Sequence, residues 1–204
     1  NVLGFNTQVS SLFAQARPAT PRNVLMARDR VKRLSANGGT EMLPAVKLAL
    51  EARPDPERLR QVVFMTDGAV GNERELFSAI REKLGSSRLF TVGIGSAPNG
   101  YFMRKAAKAG RGTFTYVGEP KEVDEKINGL LRQLEAPALT NLEFDLNGQQ
   151  ADVLPRPLPD LYLGEPVYVA FRTASFPDVA SLRGKLGGVS SRLEVPLTSY
   201  QRHD

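Results

Sequence analysis

The segment from Arg60 to Gly71, RQVVFMTDGAVG, restricts the fold more than any other part of this 204-residue chain. Val62 to Met65 form an apolar run between polar residues, the pattern of a strand buried on both faces. Such strands belong to parallel sheets sandwiched between helices. The run stops on Thr66-Asp67-Gly68, so Asp67 falls at the carboxyl end of the strand, where open α/β sheets bind their ligands.

The flanking pattern alternates between helix and strand. An opening strand is expected at residues 2–5. Thr20-Pro21 reads as a helix start, with Thr as N-cap and Pro at the first helical position. Val24, Ala27, Val31 and Leu34 then recur at helical spacing as an inner face, and Asn37-Gly38-Gly39 ends the element. A second helix is expected at about 43–52, with Val46 and Leu50 inward. The strand at 61–66 is followed by a helix over 73–84, a strand at 89–94, a helix near 102–109 and a strand at 113–117. Pro120 opens a last helix bearing Val123, Ile127, Leu130, Leu131 and Leu134. This grammar predicts an α/β domain over residues 1–135, doubly wound around a mostly parallel sheet.

Beyond Pro137 the period changes from 3.6 to 2. Leu142, Phe144 and Leu146 alternate with polar residues before the turn signal Asn147-Gly148, and Val167, Val169 and Phe171 alternate again, as do Leu193, Val195 and Leu197. Pro155, Pro157 and Pro159 stiffen the connection between the first strands. Residues 136–204 are therefore expected to form a small all-β module, near the size at which a core of its own is marginal, and so to pack on something else.

The loop Gly38-Gly39-Thr40 followed by a strand ending in Thr66-Asp67-Gly68 resembles the von Willebrand factor A family. The likeness runs through residues 2–6, GGTEMLPA, QVVFMTDGAVGNE, LFTVGIGSAPN and GRGTFTYVG. GGTEM and FMTDGAVGNE look closest to the bacterial sortase-target branch of the proteins that carry a VIT domain, a group that includes the inter-α-trypsin inhibitor heavy chains. Strands flank the domain on both sides there, which implies that residues 136–204 are part of a β-sandwich. The resemblance implies a metal-ion-dependent adhesion site built from three loops, of which one supplies a Thr and one an Asp. Thr40 and Asp67 match these two. The third loop, Asp-x-Ser-x-Ser, does not occur in the 204 residues.

By that resemblance the ion is Mg²⁺, or Mn²⁺ or Ca²⁺, held directly by Thr40 and through water by Asp67, with a protein partner's Asp or Glu carboxylate filling the open position. A hydroxyl and few carboxylates suit a hard cation that keeps several waters. With two of the ligands alone, binding is expected to be weak or absent. A helix N-cap at Thr40 and an ordinary turn at Asp67-Gly68 are the local alternatives. Pro44 argues against the cap, because it would then stand at the fourth helical position and remove the first intrahelical bond.

The family's order places the missing loop ahead of the opening strand, so the chain reads as a piece of a larger protein cut downstream of it. The central strand of the sheet would then be absent between residues 2–5 and 61–66. Filling by upstream residues, a retained fragment or strand exchange with a second copy is the expected remedy. Adhesion or protein binding at an extracytoplasmic location, on the cell surface or in the periplasm, is the expected function.

Other classes are less well supported. No apolar run reaches the roughly 18 residues of a membrane helix. The absence of cysteine excludes disulfides and thiolate chemistry. A net charge of +5 raises nucleic acid as a partner, but the basic clusters at 28–33 and 104–111 lie on helical patterns without interleaved aromatic residues. Gly93-Ile94-Gly95-Ser96-Ala97-Pro98 invites comparison with a dinucleotide fingerprint, yet Pro98 replaces its third glycine and the strand is late in the order. A Rossmann-type nucleotide-binding enzyme and a scaffold with a vestigial metal site remain as alternatives. Catalysis has no evident centre: His203 is the one histidine, and the acid pairs Asp55/Glu57 and Glu73/Glu75 fit helix-dipole stabilisation. The domain is expected not to be an enzyme.

Overall fold

The computed structural model describes residues 1–35, 38–51, 58–68, 71–95 and 99–197. The expected helix stop at Asn37, the acid pair at 55 and 57, residues 96–98 of the glycine-rich turn and His203 lie outside these. The chain divides into two compact units, Asn1–Val123 and Asp124–Asp204.

The first unit is an α/β arrangement. It contains, in order, β1 (Leu3–Phe5), β2 (Val9–Ser11), α1 (Pro21–Lys32), α2 (Met42–Glu51), β3 (Gln61–Thr66), α3 (Glu73–Lys83), β4 (Arg88–Ile94), α4 (Gly100–Ala109) and β5 (Arg111–Val117). The strands β3, β4 and β5 form a parallel sheet in that order. β3 is not buried on both faces as expected: among the described residues it is flanked in the sheet by β4 alone, and Met65 is left 45% exposed. β4, flanked on both sides, is instead buried along nearly its whole length. Phe64 and Leu89 from the sheet join Met42, Val46 and Leu50 of α2, Leu76, Phe77 and Ile80 of α3, and Phe102, Met103 and Ala106 of α4 in one core. Phe90 and Val92 are fully buried as well. Local chemistry sets the helix ends. The hydroxyl of Thr20 accepts from the N–H of Asn23 at 3.3 Å, which fixes the start of α1 with Pro21 at its first position.

Two expectations are corrected. The apolar positions of α1 do not form a buried face: Val24 is 36% exposed and Val31 and Leu34 are each 50% exposed, with no buried residue anywhere in the helix. The pattern records what the helix could bury. Its described neighbours are few; Arg30 bonds Ser10 and Leu34 lies against Gly4. The opening strand is likewise not part of the parallel sheet. It turns back at Asn6, whose side-chain oxygen accepts from Gln8 N–H at 2.9 Å, and forms an antiparallel hairpin with β2. It meets β3 through side chains only: the rings of Phe5 and Phe64 stack with centroids 5.2 Å apart. Among the described residues β3 has no ladder partner other than β4.

In the second unit, α5 (Val123–Glu135) follows a 3₁₀ turn at Pro120–Glu122. Then come β6 (Leu139–Asp145), β7 (Ala151–Leu154), β8 (Ala170–Thr173), β9 (Val179–Leu186) and β10 (Val189–Pro196). They form a three-stranded antiparallel sheet in the order β10-β9-β6 and a two-stranded one of β7 and β8. Leu142, Leu158 and Leu182 make the core, with Phe144, Val153 and Val169 packed against it. The rings of Phe144 and Phe171, 5.3 Å apart, link the two sheets. The small β module is thus present, although Val167 and Val169 precede the paired part of β8 and β9 was not anticipated.

Candidate functional site

The carboxyl edge of β3 is shaped by a short turn. Thr66, the last strand residue, is 7% exposed, and its hydroxyl accepts from Gly68 N–H at 3.1 Å. This bond holds the chain in a tight reversal and leaves Asp67 exposed at its tip.

Thr40 comes to the same place from the other side. The helix α2 begins at Met42, so Pro44 is its third residue, where the missing N–H is one of the four that no helix satisfies internally. Thr40 therefore lies two residues ahead of the helix. A Cβ added at Gly68 would fall 3.1 Å from Thr40 Oγ1 and 3.2 Å from its Cγ2. The glycine is what allows the threonine to pack directly on the turn, so Thr40 lies against the residue that follows Asp67.

The β1–β2 turn supports this loop from above. Asn6 C=O accepts from Glu41 N–H at 2.8 Å. The side chain of Thr7 stands over Gly38 and Gly39, 3.2 Å and 3.6 Å from where their Cβ atoms would be. Thr7 and Asn6 are contributors that sequence reasoning missed. They lie more than 30 positions from the loop they hold, and no local spacing reports such a contact.

A second pair was also missed. Asn99 donates to the Glu73 carboxylate at 2.7 Å, and its amide oxygen accepts from Phe102 N–H at 3.0 Å as the N-cap of α4. Glu73 was legible only as an acid in the first turn of α3; Asn99 is of a residue type that favours N-caps, but no local spacing reports its bridge to Glu73.

The donor chemistry suits part of a hard cation's shell. Thr40 offers a hydroxyl and Asp67 a carboxylate, against the roughly six oxygens Mg²⁺ requires, several of which are commonly water. Among the described residues no group of three or more His, Cys, Asp or Glu is placed to hold a metal ion. Two protein oxygens thus fit a fraction of the shell, with the remainder left to water or a partner. No helix among the described residues is long and apolar enough to cross a membrane.

Comparison with known proteins follows the same lines. A family described as von Willebrand factor type A domain matches residues 1–116. A von Willebrand factor A domain-containing protein of Dictyostelium discoideum is 29% identical over 146 residues, covering 71% of this chain and 16% of that protein. Another from the same organism is 26% identical over 205 residues, covering 97% and 24%. The von Willebrand factor A domain-containing protein 5B1 of Mus musculus is 27% identical over 146 residues, covering 71% and 12%. The chain thus spans about a quarter or less of these relatives. Among solved structures, a von Willebrand factor type A protein from Catenulispora acidiphila matches with a TM-score of 0.65 at 19% identity, over 96% of this chain and 55% of that one. That likeness concerns the fold, and it extends through the β tail.

Proposed function

Because the chain belongs to the von Willebrand factor type A domain family, we propose that it is a protein-binding module that uses the carboxyl edge of its parallel sheet, centred on Thr40 and Asp67. The observation that carries this reading is the packing of Thr40 against Gly68, immediately beside Asp67. It supports a hydroxyl and a carboxylate acting together at the edge where such sheets take ligands.

In this proposal Thr40 and Asp67 hold a divalent cation, Mg²⁺ or else Mn²⁺ or Ca²⁺, together with water. The ion supplies a positive centre to which an Asp or Glu carboxylate of a protein partner binds. Thr66 and Gly68 keep the Asp67 turn in shape, and Asn6 and Thr7 brace the Thr40 loop. No step of this kind breaks or makes a covalent bond, and the module is proposed to be non-catalytic. An extracytoplasmic location and the bacterial sortase-target branch belong to the same proposal and rest on the likeness of GGTEM and FMTDGAVGNE; protease shaving of intact cells tests the location.

Calorimetric titration of the chain with Mg²⁺, Mn²⁺ and Ca²⁺ tests the site. Weak binding is expected, at dissociation constants of about 10⁻⁴–10⁻³ M or higher, and its loss in Asp67→Ala and Thr40→Ala. Tight binding that survives both substitutions would refute the assignment. No detectable binding of any ion favours the alternative reading, a scaffold with a vestigial site.

A further inference from the structure

The strand β10 ends its sheet, and its free side carries the features of a self-pairing edge. Its eight residues pair with β9 in unbroken register from Val189–Leu186 to Pro196–Val179. The two-residue turn Gly187-Gly188, both at positive φ, closes one end of the hairpin. Leu197 N–H donates to Asp178 C=O at 2.8 Å at the other. Alternation along the ladder then points the main-chain groups of residues 189, 191, 193 and 195 toward β9 and those of Ser190, Arg192, Glu194 and Pro196 outward. Pro196 lacks only an outward N–H, the placement that edge strands tolerate. Edges are commonly protected by shortness, proline, charged side chains (lysine above all) or a bulge, and of these β10 carries Pro196 at its end and the charges of Arg192 and Glu194. β10 has neither lysine nor bulge, and no described strand lies on its outer side.

The charges on this edge are incompletely matched within the chain. Arg192 stands directly across from Arg183, a like-charged pair that disfavours the sheet. Arg183 is engaged by the Asp145 carboxylate at 2.8 Å and faces Glu143 on β6. Arg192 has Glu194, two residues along its own strand at 3.5 Å, with both side chains at least half exposed. Between them Leu193, which pairs with the buried Leu182, is 53% exposed.

We propose that two copies of this chain associate by antiparallel pairing of β10 with β10 about a twofold axis through Leu193. In that register Arg192 of each copy lies opposite Glu194 of the other, at positions that exchange main-chain hydrogen bonds. Ser190 faces Pro196, and Leu193 meets its counterpart in a close, non-hydrogen-bonded pair that extends the apolar face. A two-residue slip in either direction sets Arg192 against Arg192 or Glu194 against Glu194, so the charges select the register. A twofold interface needs such self-complementarity.

Sedimentation equilibrium of the 204-residue chain tests this. The chain is expected to form a concentration-dependent dimer. Arg192→Glu and Glu194→Arg should each raise the dimer dissociation constant by about tenfold or more, because each creates two like-charged pairs. The double variant, Arg192→Glu with Glu194→Arg, should restore dimerisation. Both side chains are exposed, and unchanged circular dichroism confirms that each variant folds. A chain that stays monomeric into the millimolar range overturns the proposal, as do single variants that dimerise like the parent or a double variant that fails to recover.

Discussion

The side-chain amide of Asn99 donates to the Glu73 carboxylate at 2.7 Å and so ties the start of α4 to the start of α3. Because the same residue caps α4, Asn99→Ala removes two interactions and Glu73→Ala one. Urea denaturation should show a loss of about 1–2 kcal/mol for the first and about 0.5–1.5 kcal/mol for the second. Equal losses would mean that the bridge, and not the cap, dominates.

Gly68→Ala places a methyl group within 3.1 Å of Thr40 Oγ1. The threonine must turn away, so the substitution should weaken Mg²⁺ binding more than it weakens folding. Calorimetry and thermal denaturation of the same sample separate the two; unchanged affinity would show that the position of Thr40 is unimportant to the ion.

Gly112→Ala offers a sharper steric test inside the sheet. Its Cβ would lie 2.4 Å from the Leu89 carbonyl oxygen, at the register shift between β4 and β5. Backbone must move to admit it, and a cost of about 1–3 kcal/mol or more is expected in chemical denaturation. A neutral substitution would mean that β5 can slide on β4.

The two faces of the first unit should respond very differently to truncation. Leu76 is fully buried and Val31 is half exposed. Leu76→Ala is expected to cost about 2–5 kcal/mol, while Val31→Ala should stay within about 0.5 kcal/mol. A large cost at Val31 would show that the face of α1 is covered in solution.

These contrasts mark where sequence reasoning reached and where it stopped. The run at 62–65 disclosed β3 as a strand of a parallel sheet, but not its burial: Phe64 is buried while Met65 is 45% exposed, and the strand buried along nearly its whole length is β4. Thr20-Pro21 disclosed the start of α1 because capping is a local matter. The inner face of α1 was misread, since an amphipathic period describes a capacity and not a contact. The strand β2 carries one apolar residue among three, and Gly184 interrupts the alternation of β9, so neither announced itself. At the candidate site, the order of two motifs singled out Thr40 and Asp67, and the structure packs the first against the turn that carries the second. The contacts of Asn6 and Thr7 with the Thr40 loop and the bridge from Asn99 to Glu73 join distant segments, and only the folded chain makes them visible.

The stack of Phe5 on Phe64 has a mechanical side. A hairpin joined to the sheet by ring faces, rather than by a ladder, can be displaced without unzipping β3 from β4. Among the described contacts, tension applied to residues 1–11 is taken up by that stack, by the hydrogen bond from Glu41 to Asn6 and by the bond from Arg30 to Ser10. Pulling on the hairpin therefore loads the Thr40 loop through Glu41 as well as the sheet through Phe64, without peeling a ladder from either.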